Sequence, residues 1–284
     1  MLLVPLSPCL IFGVGPLPAL GLTGAGIAVV VTTALTTVVL AAYIAARRSV
    51  VRFVRTRLRW ALFADILRVG GVGSVTTLQT TLTVGLTTAL VSGAPAGGGQ
   101  AIAGYGTGVR LEYLLVPLVF GLGAPLVALV GTNIGAGERA RALRVALTGG
   151  AIAFVLTEAI GVTAALWPAA WLSLFSTEPG MLATGAGYLR IVGPTYGFFG
   201  LGLALYFASQ GAGRLLWPLF AGFVRLTLAA GGGWVALRLS GSLGSLFAAL
   251  ALGLVAYGGI LSVAVASGGW FVGQKPMAIE RAGT

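Results

Sequence analysis

Long apolar runs, broken by short stretches of arginine or of small residues, set the pattern of this chain from one end to the other. Windows of about 20 apolar residues, the length a helix needs to cross a bilayer, fall near 2–15, 22–45, 69–92, 101–131, 145–166, 181–210, 215–237 and 245–267. None of these runs alternates polar and apolar positions as a membrane strand would, so a barrel is excluded and each span must satisfy its own backbone as a helix. The pattern predicts an all-α fold, a polytopic membrane helical bundle with about eight transmembrane segments. The first run starts at Met1 and is shorter than the roughly 17 residues a crossing requires, so it reads as half a helix belonging to a longer protein.

Composition supports the same solvent. Of 284 residues 57% are hydrophobic and 8% charged, too little polar surface to coat a water-soluble globule of this size. The 46 glycines would weaken soluble helices, whereas membrane helices use small residues to bring backbones together. A formal charge of +11 raises nucleic acid as a partner, yet the arginines lie between apolar runs and not on one polar face, which argues against it. Cys9 has no second cysteine to pair with and histidine is absent, so neither a disulfide nor a histidine or cysteine metal site is expected. No catalytic set of paired carboxylates or nucleophile and base is evident, and no cofactor is called for.

Arginine placement sets the orientation. Arg47, Arg48, Arg52, Arg55, Arg57 and Arg59 share one loop, Arg139, Arg141 and Arg144 another, then come Arg214 and the tail residues Lys275 and Arg281; the opposite loops carry Arg238 alone. Basic loops stay cytoplasmic, so the 47–61 loop and the C-terminus are assigned there in a multi-pass plasma-membrane protein. The 47–61 stretch interleaves arginine with Val, Phe, Leu and Trp, a basic topology signal able to lie in the headgroup layer of membrane lipids. It divides the chain into 1–46, the 47–61 loop, a six-helix unit at 62–270 and a tail at 271–284. Residues 15–45 and 238–267 share a small-residue turn, a Gly/Ala-rich helix start and a Tyr, the faint trace of an internal repeat.

Ionisable and polar residues inside spans are expensive and therefore carry the functional hypotheses. Asp65 and Arg68, three apart at the start of the third run, form a helix-end anchor. Arg110 and Glu112 lie deeper, about 200° apart on a helix, so each needs a partner elsewhere; Tyr113 adjoins them. Glu112 either carries a coupling proton or neutralises an arginine permanently and joins two helices, with Arg190 and Arg225 as the candidate partners. Glu158 stands within the fifth run with no basic residue near, facing either a wet cavity or the outer interface. Pro194, flanked by Gly193 and Gly197, predicts a kink whose freed carbonyls bind a cation or let one half move. Tyr196 and Tyr206 are packing rings or polar contacts, and Tyr206, Gln210 and Arg214 recur every fourth residue as a polar stripe. The third run is dense in threonine and holds Gln79 and Thr80, a face for helix packing or for a polar cavity. Asn133 and its neighbouring glycines read as a helix end, and Ser176 or Thr177 as a cap for the helix that Pro179 begins.

The stretches GYGTGVRLEYLLVPLVFGLG, VALVGTNIGAGERARALR and YLRIVGPTYGFFGLGLALYFASQGAGR resemble second-half sequences of MATE (multidrug and toxic compound extrusion) transporters, and the opening SPCLIFGVGPLPALGLTGAGIA resembles the family's stretch between its fifth and sixth helices. That resemblance implies twelve helices in two lobes, exporting cationic or amphiphilic drugs and toxic compounds by antiport with protons or sodium across a bacterial inner membrane. It places this chain as the end of lobe one plus all of lobe two, with the first four helices and their coupling aspartate lying in a missing N-terminal part. The second-lobe carboxylates some members use for a cation fall on Gln79 or Thr80 and a Phe near 199, which disfavours a sodium site there. The alternatives are a lipid-linked oligosaccharide flippase of the same superfamily, whose cavity would need several basic residues, and a non-transporting membrane scaffold.

Overall fold

Glycine and proline decide where the helices stop. The computed structural model describes residues 3–13, 19–46 and 60–268, arranged as α1 (Leu3–Phe12), α2 (Gly21–Ala45), α3 (Trp60–Ser92), α4 (Gly99–Gly135), α5 (Arg139–Leu166), the short α6 (Pro168–Leu172), α7 (Pro179–Val192), α8 (Tyr196–Gly211), α9 (Leu216–Leu226), α10 (Gly233–Ser240) and α11 (Leu243–Ala266). Most of the basic 47–61 loop, the 271–284 tail and the side chains of Asp65 and Arg68 lie outside the described residues. Among those described there is no strand, and six helical stretches are long and apolar enough to cross a membrane: Gly21–Ala45, Gly99–Gly135, Arg139–Leu166, Pro179–Gly211, Leu216–Ser240 and Leu243–Ala266. The opening helix has only 10 residues, too short for a crossing, while α3 has 33, enough by length alone.

The chain forms two compact units, Met1–Phe63 and Ala64–Thr284. In the first, α1 packs on α2 with Ala28 fully buried, and Gly24 is small because a Cβ there would strike the Leu10 carbonyl. The second unit contains nearly all of α3 and everything after it. Its core joins α4, α7, α8 and α11 through Leu115, Tyr188, Leu189, Tyr196, Leu246 and Phe247. Small residues permit the contact the composition foretold: a Cβ on Gly200 would meet the Thr157 side chain, and one on Gly258 the Phe198 backbone.

Two helix ends share one device. Gly137 and Gly213 adopt the left-handed φ of 80° and 67°, which lets Glu138 N–H reach the Asn133 carbonyl at 2.9 Å and Arg214 N–H reach that of Ser209 at 2.8 Å, satisfying carbonyls the helix leaves open. Asn133 itself stays helical and donates its amide to Leu129. Because α8 terminates this way, Arg214 leaves the helix and the expected polar stripe ends at Gln210. Ser176 also departs from expectation: its hydroxyl accepts the N–H of Glu178, and α7 starts at Pro179 with no side-chain cap.

Two breaks interrupt the spans. Pro194 converts residues Gly193–Thr195 to a 3-10 turn, the kink expected from the sequence. Val192 O accepts the Thr195 hydroxyl at 2.7 Å and Gly193 O accepts the N–H of Tyr196, while the carbonyl that a proline at 194 leaves without its helical donor is that of Arg190, four residues back. A second break, a π-helical stretch at Thr227–Gly232, separates α9 from α10 where Gly231, Gly232 and Gly233 follow one another, a site of low helix preference.

Candidate functional site

Within the second unit a cavity of about 320 Å³ is walled by α3, α4, α7, α8, α9 and α11. Its α3 wall carries Thr76, Thr77, Thr80 and Thr83. Each of these hydroxyls donates to the carbonyl four residues back, at 2.8 to 3.1 Å, so their hydrogens are consumed by their own helix. The wall therefore offers methyl groups and oxygen lone pairs, with no spare donor. Of the two readings of the threonine face, helix packing or cavity wall, these four residues lie on a cavity.

Two charged side chains face the cavity, Glu112 from α4 and Arg225 from α9. Arg225 Nη2 meets Glu112 Oε1 at 2.8 Å, and their side chains are 16% and 12% exposed. The second carboxylate oxygen accepts from Tyr188 Oη at 3.3 Å. The guanidinium lies over the rings of Phe199, 5.3 Å from its centroid, and Tyr257, at 5.8 Å. Carboxylate and ring faces thus neutralise a cation that would be costly in a bilayer. Glu112 finds its partner 113 residues along the chain, on another helix as the 200° spacing required. Beneath the pair, Tyr105, Tyr188 and Phe247 form an edge and stacked aromatic cluster. With the two charges cancelling, the lining is neutral and rich in rings, with Tyr113, Phe120 and Tyr206 also on the wall.

Gln79 occupies a smaller recess of about 30 Å³ beside Arg225, Gly222 and Tyr257. It is 4% exposed, donates from Nε2 to the Leu219 carbonyl at 3.2 Å, and leaves its buried Oε1 without a hydrogen-bond partner. Gly222 leaves room for this amide, since a Cβ there would strike Oε1.

A family model, MatE, matches residues 73–235, more than half of the chain, including all of α4 through α8. The chain belongs to the MatE family. An FAD transporter of Shewanella oneidensis is 28% identical over 72% of this chain and 44% of its own length. The probable multidrug resistance protein NorM of Thermotoga maritima is 23% identical over 78% of this chain and 47% of itself. Among solved structures, a MATE crystallised in complex with MaL6 superposes with a TM-score of 0.84 at 18% identity, covering 94% of this chain and 60% of that one. The MATE transporter ClbM in complex with Rb⁺ gives 0.74 at 16%, with 92% and 56% covered. This MatE chain therefore has the MATE fold, is a multi-pass membrane protein, and spans about half the length of the curated relatives it matches.

Of the residues picked out in this MatE sequence, Gln79, Thr80, Glu112, Tyr113 and Tyr206 line one of the two adjoining recesses. Four others lie elsewhere. Tyr196 is fully buried in the core, Gln210 is half-buried off the cavity wall, and Arg110 faces a separate recess. Glu158 on α5 is half-buried and accepts the N–H of Gly197 at 2.6 Å, placing a carboxylate on the positive end of α8 just after the Pro194 break. Arg190 is exposed, and among the described residues Arg225 is the candidate arginine that pairs with an acid. Tyr188 and Tyr257 escaped the sequence reading because no spacing joins rings on different helices, and the Phe near 199 enters it only as standing where a carboxylate would fall.

Proposed function

We propose that the chain forms the cargo-handling lobe of a secondary efflux transporter in a bacterial inner membrane, exporting cationic or amphiphilic small molecules by antiport with protons or sodium. The observation that carries this reading is the neutral, ring-lined cavity closed by the Glu112–Arg225 pair. Aromatic faces and threonine oxygens suit a planar amphiphile bearing delocalised positive charge, and the wall has no uncancelled cation to repel it. Glu112 is the carboxylate among the lining residues, so coupling that passes through this lobe acts there, by proton or cargo loosening its bond to Arg225. Cargo release and ion entry are then linked through one acid. The arginine distribution supports a cytoplasmic 47–61 loop and C-terminus. A flippase for a polyanionic lipid-linked sugar is less well supported, because Arg225 is the basic residue lining the cavity and it is already paired.

Proteoliposomes containing the protein and loaded with an imposed pH or sodium gradient test this reading with ethidium as the fluorescent cation. The expected result is gradient-dependent ethidium flux, greatly reduced by Glu112→Gln in protein of unchanged helicity. Absence of gradient dependence contradicts antiport, and full flux in the folded Glu112→Gln protein contradicts the role given to that acid.

A further inference from the structure

Arg110 is a charge within a membrane span that the cavity does not use. It sits on the opposite face of α4 from Glu112, exposed, with its guanidinium carbon over the ring of Phe175, 5.6 Å from the centroid. Among the described residues no carboxylate lies within 4.0 Å of Arg110. The guanidinium opens into a recess of about 520 Å³ formed where α4 and α7 begin, whose polar lining includes Gln100, Thr107, Ser176 and Glu178.

Depth identifies the surroundings. The 37 residues of α4 span about 55 Å at 1.5 Å per residue, against about 40–45 Å for a whole bilayer and about 30 Å for its hydrocarbon. A centred helix then meets hydrocarbon about 12 Å from its end, whereas the Arg110 backbone lies about 16 Å past Gly99. Snorkelling toward Phe175 brings the guanidinium up to the level of lipid phosphates. Leu114 and Leu118, four and eight residues on, are exposed at 56% and 40% and continue the same side of the helix as an apolar track into the hydrocarbon.

We infer that this recess is a phospholipid site: Arg110 holds the phosphate of one lipid, Glu178 faces its ammonium, and an acyl chain lies along Leu114 and Leu118. Arginine's planar fork suits a phosphate diester, and an acid in the same recess fits a zwitterionic headgroup better than a purely anionic one. The site stands apart from the cavity, so the inference does not depend on the transport reading.

Native mass spectrometry of the purified full chain, titrated with dioleoylphosphatidylethanolamine, tests it. One lipid is expected to stay bound through delipidation, with affinity falling at least tenfold in Arg110→Gln and much less in Arg110→Lys. Glu178→Gln should shift preference from phosphatidylethanolamine toward phosphatidylglycerol. Dioleoylglycerol, which has the chains without the phosphate, should bind at least tenfold more weakly, and inorganic phosphate at millimolar concentration should leave the bound lipid in place. Equal retention by Arg110→Gln, binding of dioleoylglycerol as tight as the phospholipid, or displacement by inorganic phosphate would each overturn the assignment. Should Arg110→Gln fail to fold, the diacylglycerol and phosphate comparisons on the unaltered protein decide the matter.

Discussion

Removing the carboxylate of Glu112 leaves Arg225 as a charge held in the bilayer by two ring faces alone. Taking away one partner of a buried ion pair costs about 3–5 kcal/mol. Here both side chains keep a little exposure, 16% and 12%, and the cavity admits water, so the low end applies: about 3 kcal/mol for Arg225→Gln or Glu112→Gln, or roughly a hundredfold in the folding equilibrium. Glutamine at 112 can still accept from Tyr188, so the loss is chiefly electrostatic. The double variant removes both charges together and should cost about 3 kcal/mol, no more than either single change, giving a coupling energy of about 3 kcal/mol, the upper end of the range for directly contacting residues. Unfolding of the four proteins in mixed micelles by dodecyl sulfate titration measures this cycle. Additivity within about 0.5 kcal/mol, the behaviour of distant independent sites, would refute the claim that the pair clamps α4 to α9.

Other outcomes follow from single contacts. Gly108→Ala places a Cβ 2.5 Å from the Tyr188 ring and should cost about 1–3 kcal/mol by overpacking, whereas Gly106→Ala, which meets nothing within 4 Å, should be neutral or mildly stabilising; thermal melts in detergent compare them. Glu158→Ala strips the acceptor from Gly197 N–H and should destabilise the unit by about 1 kcal/mol, with faster hydrogen exchange at Gly197 and its neighbours as the local readout. Gly222→Leu should expel the Gln79 amide from its recess and weaken the packing of α3 on α9, read as a lowered melting temperature.

The helices were legible because a bilayer imposes length and apolarity on each one separately, and both are visible in a single run of sequence. The kink was legible for a similarly local reason, the missing donor of Pro194. Partnership was not. Which arginine meets Glu112 depends on how α4 and α9 pack, and Arg190 and Arg225 are equivalent until that packing brings one of them within 2.8 Å. The role of Glu158 was hidden because its acceptor duty answers a backbone N–H of Gly197, a group every residue but proline has. The Gln210 to Arg214 stripe failed where a single left-handed glycine, Gly213, ended the helix one turn earlier than periodicity alone implied. The π-helical break was written in three consecutive glycines, a signal masked by the abundance of glycine throughout.

The central claim is that cargo passes through the cavity between the α3 threonines and the Glu112–Arg225 pair. Thr80 stands exposed on that wall, so Thr80→Trp would fill the cavity without touching the ion pair's charges. Ethidium flux in proteoliposomes under an imposed pH or sodium gradient, measured for the unaltered and Thr80→Trp proteins at matched helicity and reconstitution, tests the claim most directly. The account predicts gradient-dependent flux that falls at least tenfold on filling the cavity; flux independent of the gradient, or undiminished in Thr80→Trp, would contradict it.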